Sequence, residues 1–338
     1  MLTLNLNCVS NRNKKGMLLL MNILITGGYG FIPSNFINYY FEKNKDKINI
    51  LVNIDCLYYA ANEKNVSDKI KNDNKYIFIK GNTGNNDLVK YIFTQYKITH
   101  VINFAAHSAV DASFQNSLQY TQDNVLSTHV LLENARLYNK VEKFIHVSTD
   151  EVYGDSQHDD ICSKKEQSIL CPNNPYSATK AAAEMIVGSY ARCYNMPIII
   201  TRGNNVYGPN QHHEKLIPRF IKLLRENRKV TIHGDGSYVR SFLHSEDTAR
   251  AFEMILDNGN VGEIYNIGTN DEYSIMDITK KIIKLIKKTE NYEEHIEYVS
   301  DRIYNDIRYF IDTGKLENMG WKPEKIFDEE LTNLCNLY

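Results

Sequence analysis

A glycine-rich turn between an apolar strand and a helix limits the fold of this chain more than any other feature. Residues 22–26 form a short apolar run, and Gly27-Gly28-Tyr29-Gly30-Phe31-Ile32-Pro33 follows directly and opens a helical pattern that extends to Phe41. In such a unit the first glycine permits a tight turn, and the helix N-terminus offers N–H groups to an anion. The order predicts a dinucleotide-binding α/β domain in which Gly27, Gly30, Phe31 and Ile32 contact the cofactor.

Pro33 departs from the usual form of this turn. The third position is normally Gly or Ala, so that the helix packs closely on the strand. Proline is tolerated in a first helical turn because its missing N–H would have no partner there, but its ring adds bulk. We expect a small outward shift of the first helical turn and weaker retention of the dinucleotide.

The next apolar strand indicates which dinucleotide is bound. Residues 50–54 are followed by Asp55, and no arginine comes after it. A carboxylate at this point binds the ribose hydroxyls and repels a 2′-phosphate. The sequence therefore predicts NAD rather than NADP.

Two polar motifs in the middle of the chain carry the candidate chemistry. Thr149, Asp150 and Glu151 follow the buried strand 144–147, where packing residues would be apolar. Tyr176 and Lys180 are four residues apart and share one helix face. A nearby ammonium lowers the pKa of a phenol, which predicts Tyr176 as a general base. A single Tyr-x-x-x-Lys match is more often an ordinary surface pair, so the motif gains its weight from the glycine turn.

Together, the glycine turn and the Tyr176/Lys180 pair resemble the extended short-chain dehydrogenase/reductase family. Within it, Thr149-Asp150-Glu151 is similar to the nucleoside-diphosphate-glucose 4,6-dehydratases. The resemblance implies a Rossmann-like, doubly wound parallel sheet with a smaller, partly interleaved C-terminal substrate domain. It assigns 21–203 with about 241–268 to NAD binding, and 204–240 with 269–338 to the nucleotide sugar. Residues 1–20 are expected to be a disordered leader, and Met17 or Met21 is an alternative start.

The resemblance also implies roles for the residues of both motifs. Tyr176 takes the proton of the sugar C4 hydroxyl during oxidation by NAD, while Lys180 and Thr149 hold and polarise the site. Glu151 then removes the C5 proton as base, and protonated Asp150 gives a proton to the departing C6 hydroxyl. The product is a 4-keto-6-deoxy sugar of rhamnose-type biosynthesis. The choice between thymidine and uridine nucleotides stays open.

Further positions follow from the same resemblance. The cofactor contacts include Asn82, which replaces a usual Asp near the adenine, the small pair Ala105 and Ala106, and again Tyr176 and Lys180. The predicted substrate contacts are His107, Ser108, Asn205, Lys215, Arg240, Asn266 and Arg302. His107 stands where relatives often have Glu or Gln, and Ala109 where they usually have His.

Composition excludes other classes of function. The formal charge is −2 with no basic stripe, which argues against nucleic acid as a partner. No segment approaches the ~20 apolar residues of a membrane helix. The six cysteines are scattered without metal-ligand spacing, and we interpret them as reduced thiols of a cytoplasmic protein without a metal.

The resemblance further implies a homodimer formed by two helices of each subunit, 121–139 and 176–194. Leu131, Leu132, Ala183 and Ile186 are the expected interface residues. Two alternative functions stay open. An NAD-dependent nucleotide-sugar epimerase or decarboxylase would share the fold, and a non-catalytic, dinucleotide-sensing Rossmann regulator would share the glycine turn. The regulator would have no use for the two polar motifs together.

Overall fold

The computed structural model describes residues 20–301, 304 and 306–338. The leader predicted over residues 1–20 lies almost entirely outside the described residues. Arg302, a predicted substrate contact, is also outside them.

Strands in the described part of the chain follow the apolar runs of the sequence. They are β1 Met21–Thr26, β2 Ile48–Asp55, β3 Tyr76–Lys80, β4 His100–Asn103, β5 Lys143–Thr149, β6 Ile198–Gly203, β7 Asn205–Tyr207, β8 Val230–His233, β9 Val239–His244, β10 Ile264–Ile267, β11 Glu272–Ser274 and β12 Ile296–Val299.

Seven of these strands form one parallel sheet in the order β3-β2-β1-β4-β5-β6-β10. The order reverses between β1 and β4, which is the point where doubly wound sheets bind nucleotides. The predicted Rossmann-like fold is confirmed. The other strands form a three-stranded sheet, β11-β9-β7, and a two-stranded sheet, β12-β8.

Helices cover both faces of the large sheet. They are α1 Phe31–Asn44, α2 Asp68–Lys71, α3 Asn86–Gln95, α4 Val110–Gln115, α5 Ser117–Tyr120, α6 Ser127–Tyr138, α7 Pro175–Tyr194, α8 Leu216–Arg225, α9 Ser245–Asn258, α10 Ile275–Lys287, α11 Gly314–Glu317 and α12 Phe327–Leu337. A π-helical turn, Thr121–Leu126, joins α5 to α6, and a 3₁₀ turn, Asp150–Tyr153, follows β5.

Three apolar clusters form the core. One lies on the sheet face covered by α1 and α9, and another on the face covered by α3, α6 and α7. The third lies among α8, α10 and α12 and includes residues of β8 and β12. Burial of these apolar side chains is the main stabilising contribution to the fold.

The chain alternates between two regions. One is the large sheet with its covering helices, and the smaller region contains β7, α8, β8, β9, β11, α10, β12 and α12. After β6 the chain leaves the large sheet for β7, α8, β8 and β9, and it returns with α9, which packs against α1, and with β10. It then leaves again for β11, α10, β12 and α12. The domain limits predicted from the sequence stay a prediction.

The structure corrects the residues expected at the subunit interface. Leu131, Leu132 and Ala183 are fully buried inside the subunit, and the two leucines belong to the core under the sheet. The prediction that these three side chains face a partner is wrong. Their apolar pattern marks the helix faces that pack on the sheet. None of the described helices is long and apolar enough to cross a bilayer.

Candidate active site

A cavity of about 1220 Å³ opens at the carboxyl ends of β1, β4, β5 and β6. It extends from the glycine turn after β1 to the smaller region, where side chains of α8 and β9 contribute to its wall. All ten predicted cofactor residues line this cavity, namely Gly27, Gly30, Phe31, Ile32, Asp55, Asn82, Ala105, Ala106, Tyr176 and Lys180. Parallel strands end at the same edge, which is why motifs distant in sequence meet here.

The glycine turn is packed too tightly to accept side chains at Gly27 and Gly30. Gly27 has a φ of +68°, and a Cβ there would lie 3.1 Å from the Ala105 Cα. A Cβ on Gly30 would lie 3.1 Å from the Gly27 carbonyl oxygen. The Ala105 N–H donates to the Thr26 hydroxyl at 2.9 Å, which keeps the loop after β4 against the turn. Gly27, Gly30 and Phe31 line the cavity at the start of α1. Without side chains at the two glycines, a pyrophosphate can approach the backbone there, and these residues fit a dinucleotide.

Asp55 lies at the end of β2 with its carboxylate already oriented. It accepts from the Tyr29 N–H at 2.9 Å and from the Leu57 N–H at 2.8 Å, and it is 5% exposed. Burial raises the pKa of this carboxyl, and the two backbone donors counteract that effect. Each carboxylate oxygen keeps a lone pair for a ribose hydroxyl. Asn82 is exposed, and its carbonyl oxygen accepts from the Gly84 N–H at 2.7 Å.

The three polar residues after β5 form one tight unit. Thr149 ends the strand, and its hydroxyl accepts from the Glu151 N–H at 3.3 Å, which caps the following turn. The same hydroxyl donates to Asp150 Oδ1 at 3.1 Å. Thr149 and Glu151 line the cavity, whereas Asp150 is 2% exposed and is not among the described lining residues. Asp150 is therefore set back from the described cavity wall.

Both carboxyls of this unit hold their protons more tightly than usual. Burial raises the pKa of Asp150 to about 6. Burial, together with repulsion from Asp150, raises the pKa of Glu151 to about 7. The pair therefore takes up and releases protons close to neutral pH, the range in which one member can act as acid and the other as base. Which of the two carboxyls holds the proton when substrate is bound stays a prediction, with Asp150 expected to be the protonated member.

Tyr176 and Lys180 begin α7 and are both buried at the cavity wall. Burial raises the pKa of Tyr176, the Glu151 charge raises it further, and the nearby Thr149 hydroxyl acts against them. Burial lowers the pKa of Lys180 to about 8, and its ammonium donates to the Val147 carbonyl oxygen at 2.6 Å. The lowered pKa predicted for Tyr176 is not found here, because burial raises it.

His107 lines the cavity and is held from several sides. Its Nε2 lies 2.7 Å from Asp123 Oδ2, and its backbone N–H donates to Asn124 Oδ1 at 2.7 Å. The ring stacks on Tyr59 and meets the edge of Tyr58. The π-helical turn supplies both Asp123 and Asn124, an arrangement often found at functional sites.

Four other predicted substrate residues, Ser108, Asn205, Lys215 and Arg240, also line the cavity. The Lys215 ammonium donates to the Ser108 carbonyl oxygen at 3.2 Å, and the Arg240 guanidinium lies 4.9 Å from the centre of the Tyr309 ring. Two cations that line the same cavity suit a diphosphate.

Asn266 does not belong to this set. It is 0% exposed, accepts from the Tyr153 hydroxyl at 2.8 Å, and donates to the Asp312 carbonyl oxygen at 2.9 Å. Its polar atoms are used inside the protein, so the prediction of a substrate contact is wrong. It connects β10 to the segment after β5.

Two asparagines that sequence reasoning missed hold the carboxylates. The Asn174 amide donates to Glu151 Oε2 at 3.1 Å, and the Asn204 amide donates to Asp150 Oδ2 at 2.7 Å. Asn174 precedes Pro175 at a helix start, which is a capping signal available from the sequence. No comparable local signal marks Asn204, because its partner is distant in the chain.

Comparison with known proteins agrees with this geometry. The family model described as GDP-mannose 4,6 dehydratase matches residues 24–334. A trifunctional UDP-glucose 4,6-dehydratase/UDP-4-keto-6-deoxy-D-glucose 3,5-epimerase/UDP-4-keto-L-rhamnose-reductase of Arabidopsis thaliana is 46% identical over 318 residues, 94% of this chain and 47% of that protein. The dTDP-D-glucose 4,6-dehydratase of Mus musculus is 45% identical over 319 residues, 94% of this chain and 88% of that protein.

A solved structure extends the likeness to the fold. The dTDP-glucose 4,6-dehydratase of Streptomyces venezuelae, crystallised with NAD and dTDP, has a TM-score of 0.88 at 34% identity, covering 94% of this chain and 96% of that chain. This chain spans about half the length of the Arabidopsis relatives that it matches, 47% in each case.

Proposed function

Because this chain belongs to the GDP-mannose 4,6 dehydratase family, we propose that it removes water from a nucleoside-diphosphate-glucose and yields the 4-keto-6-deoxy sugar. The observation that carries the proposal is the pair Asp150 and Glu151 beside Tyr176 at the end of β5, with the pKa of both carboxyls raised toward neutrality. Relatives named for UDP-glucose and for dTDP-glucose match at nearly the same identity, so both substrates are proposed.

NAD is the proposed cofactor, and when bound it supplies the acceptor and later donor of a hydride. Gly27, Gly30 and the start of α1 would hold its pyrophosphate, and Asp55 its adenosine ribose. Asp55 has no neighbouring arginine that would neutralise a 2′-phosphate, which supports NAD over NADP.

The chain's own residues account for the proton transfers. Tyr176 takes the proton of the C4 hydroxyl, and Thr149 orients it. The ketone at C4 acidifies the C5 hydrogen, which Glu151 removes from its position on the cavity wall. Asp150 supplies the proton with which the C6 hydroxyl leaves as water, and Glu151 returns its proton to C5. Lys215 and Arg240, which line the cavity, would neutralise the diphosphate.

A nucleotide-sugar epimerase needs only the oxidation at C4 and its reversal. Glu151 would then be a carboxyl on the cavity wall with a raised pKa and no role in the reaction. Such groups occur chiefly where they serve chemistry, which supports elimination over epimerisation.

The homodimer and the compartment are also proposals. Leu126, Leu137, Met185 and Tyr194, on α7 or on the segment 121–138, are 52–65% exposed and offer an apolar surface to a second copy. The described cysteines are free thiols, which suits the cytoplasm. Sedimentation at micromolar concentration tests the homodimer, and subcellular fractionation tests the cytoplasmic location.

The test of the function is incubation of the purified chain with UDP-glucose and, separately, dTDP-glucose. We expect a product lighter by one water that absorbs as a 4-keto sugar in alkali. A product of unchanged mass with an inverted C4 centre would establish an epimerase. No turnover of either nucleotide sugar, with NAD bound, would refute the proposal.

A further inference from the structure

A buried ion pair lies next to the candidate catalytic groups and takes no part in the proton transfers. Arg202 on β6 and Glu184 on α7 are both buried. The Arg202 Nη2 donates to Glu184 Oε2 at 2.7 Å, and its Nε donates to Oε1 at 3.2 Å and to Oε2 at 3.1 Å. Burying two charges costs about as much as their attraction returns, so such a pair contributes little to stability by itself. The groups that the pair connects therefore decide its role.

The other side of the Arg202 guanidinium contacts the turn that carries Glu151. Its Nη1 donates to the Tyr153 hydroxyl at 2.8 Å, and its Cζ lies 4.7 Å from the centre of the Tyr153 ring. The Tyr153 hydroxyl donates to Asn266 Oδ1 on β10 at 2.8 Å. The Asn266 amide nitrogen donates to two backbone carbonyls, so its oxygen is fixed toward Tyr153. The hydroxyl accepts from one fixed group and donates to another, which sets its place.

The two ends of this network lie on the two elements that carry the candidate chemistry. Glu184 follows Lys180 by four residues, so both lie on one face of α7. Tyr153 ends the 3₁₀ turn Asp150–Tyr153, which includes Glu151. A planar guanidinium with donors in a fixed arrangement therefore sets the helix of Lys180 relative to the turn of Glu151.

At the helix end, the Glu184 carboxylate acts on Lys180. Burial lowers the pKa of the Lys180 ammonium to about 8, and the Glu184 charge acts against that effect. The ammonium donates to the Val147 carbonyl oxygen at 2.6 Å, which holds it at the end of β5. Because Arg202 binds both carboxylate oxygens, Glu184 stays where its charge favours the ammonium form of Lys180.

We propose that Arg202 is a positioning residue for both the oxidation at C4 and the removal of the C5 proton. Through Glu184 it keeps Lys180 charged and in place for the oxidation. Through Tyr153 it holds the turn that presents Glu151 to the C5 hydrogen. Arg202, Glu184 and Tyr153 are not among the described residues that line the cavity, so they act through their neighbours. The inference rests on the proposed function and deepens it.

The two ends of the network should affect different steps, which distinguishes positioning from stability alone. A network that served only stability would slow both steps together when it is cut at either end. Absorbance of reduced nicotinamide measures the oxidation. Exchange of the C5 hydrogen with solvent deuterium, for each reduced nicotinamide formed, measures the action of the base.

Tyr153→Phe cuts the turn end and keeps the ring that packs against Arg202. In the NAD-loaded enzyme, with the nucleotide-glucose that wild type turns over, C5 exchange should fall about 10- to 100-fold, because a small displacement of a catalytic group is that costly. Reduced nicotinamide should form at the wild-type rate and accumulate. C5 exchange at the wild-type rate, or equal slowing of both steps, would overturn the inference.

Arg202→Lys tests the coupling itself. Lysine keeps a positive charge next to Glu184, but its single ammonium lacks the fixed fork of donors that reaches Tyr153 at the same time. The variant should therefore reproduce Tyr153→Phe, with C5 exchange lost and formation of reduced nicotinamide retained. Normal C5 exchange in Arg202→Lys would contradict the coupling.

Glu184→Gln cuts the helix end by removing the charge while it keeps the size of the side chain. Formation of reduced nicotinamide should slow at least about 10-fold, since Lys180 loses the charge that favours its ammonium form. C5 exchange for each reduced nicotinamide should stay at the wild-type value, and Glu184→Asp should restore part of the oxidation rate. Oxidation at the wild-type rate in Glu184→Gln would overturn the inference.

Tyr40→Phe is the matched control for the loss of a buried phenol hydroxyl. Tyr40 lies on α1, is not among the described residues that line the cavity, and donates to Asp257 Oδ1 at 3.2 Å. It should leave both steps at their wild-type rates. If wild type makes the 4-keto product and Tyr153→Phe behaves like Tyr40→Phe, the positioning role is refuted and the proposed function stands. If wild type makes no such product, the proposed function fails and the positioning role fails with it.

Discussion

The Asn174 side-chain amide donates to the Glu151 carboxylate at 3.1 Å, and the same side chain accepts from the Ser177 N–H at 2.8 Å to cap α7. One residue thus stabilises the start of the helix that carries Tyr176 and also orients the candidate base. Helix formation and the position of Glu151 are coupled through it.

Asn174→Ala should separate these two roles when it is compared with Asn174→Ser. The alanine variant loses the cap and should lose about 1 kcal/mol of unfolding free energy. Serine keeps the cap but is too short to reach Glu151. Because the amide lowers the Glu151 pKa, both variants should shift the pH profile of C5 exchange upward. An unshifted profile in Asn174→Ser would contradict the assignment.

Glu151→Gln should stop exchange of the C5 hydrogen with solvent deuterium, by about 100-fold or more, while reduced nicotinamide still forms. Mass spectrometry of recovered substrate and product measures the exchange. Glu166→Gln is the matched control, since Glu166 is a buried acid that is not among the described residues lining the cavity. Unimpaired exchange in Glu151→Gln would exclude Glu151 as the base.

The raised pKa values predict how stability depends on pH. The pKa of Glu151 rises from the ordinary 4.5 to about 7 in the folded protein, and the pKa of Asp150 rises from 3.8 to about 6. The folded state therefore favours the protonated forms of both carboxyls. The two carboxyls contribute fully to the free energy of unfolding below their unfolded-state pKa values. This contribution is lost as the pH rises through their folded-state pKa values. Glu151→Gln should therefore be more stable than wild type at about pH 8, by on the order of 1–3 kcal/mol, and not at about pH 4. Denaturant unfolding of both proteins at the two pH values checks this. The same stability difference between variant and wild type at both pH values would refute the prediction.

Calorimetry should show binding of NAD at least about 10-fold tighter than NADP, a difference of ~1.4 kcal/mol or more. The physical cause is the ionised Asp55 at the end of β2, where a 2′-phosphate would meet a like charge. Equal affinities would mean that another group neutralises the phosphate.

Pro33→Gly should tighten NAD binding and lower stability by about 1 kcal/mol, because proline restricts the unfolded chain. The Pro33 Cγ would lie 3.5 Å from a Cβ on Gly30, so the ring borders the glycine turn. Thermal unfolding without cofactor and NAD affinity are the two measurements. Pro33→Ala, which removes the ring but keeps a Cβ, is the control. Unchanged or weaker NAD binding in Pro33→Gly would remove the steric argument.

The parts of the site that were predictable are local in sequence. The turn at Gly27 and the unit Thr149–Glu151 follow directly on apolar strands, and parallel strands bring their carboxyl ends together whatever lies between them. The position of each motif directly after an apolar strand therefore predicts where it lies in the fold.

The incorrect sequence predictions concern properties that depend on contacts with distant parts of the chain. Lys180 is near Tyr176 in sequence, but burial decides the pKa of the phenol. Leu131 has the apolar character of an interface residue, yet its helix face packs on the sheet. Asn204 reaches Asp150 from 54 positions away, a contact with no sequence signal. Asn266 was misassigned because a family match does not tell whether a side chain faces the cavity.

The return of the chain to the large sheet at α9 and β10 affects how this protein can be recombined. The smaller region is built from two separate stretches of chain, one on each side of those elements. A chimera that exchanges the smaller region with a relative therefore needs three junctions, after β6, before α9 and after β10. A single crossover after β6 would import a foreign β10 and α9, and these would have to pair with the native β6 and pack against the native α1.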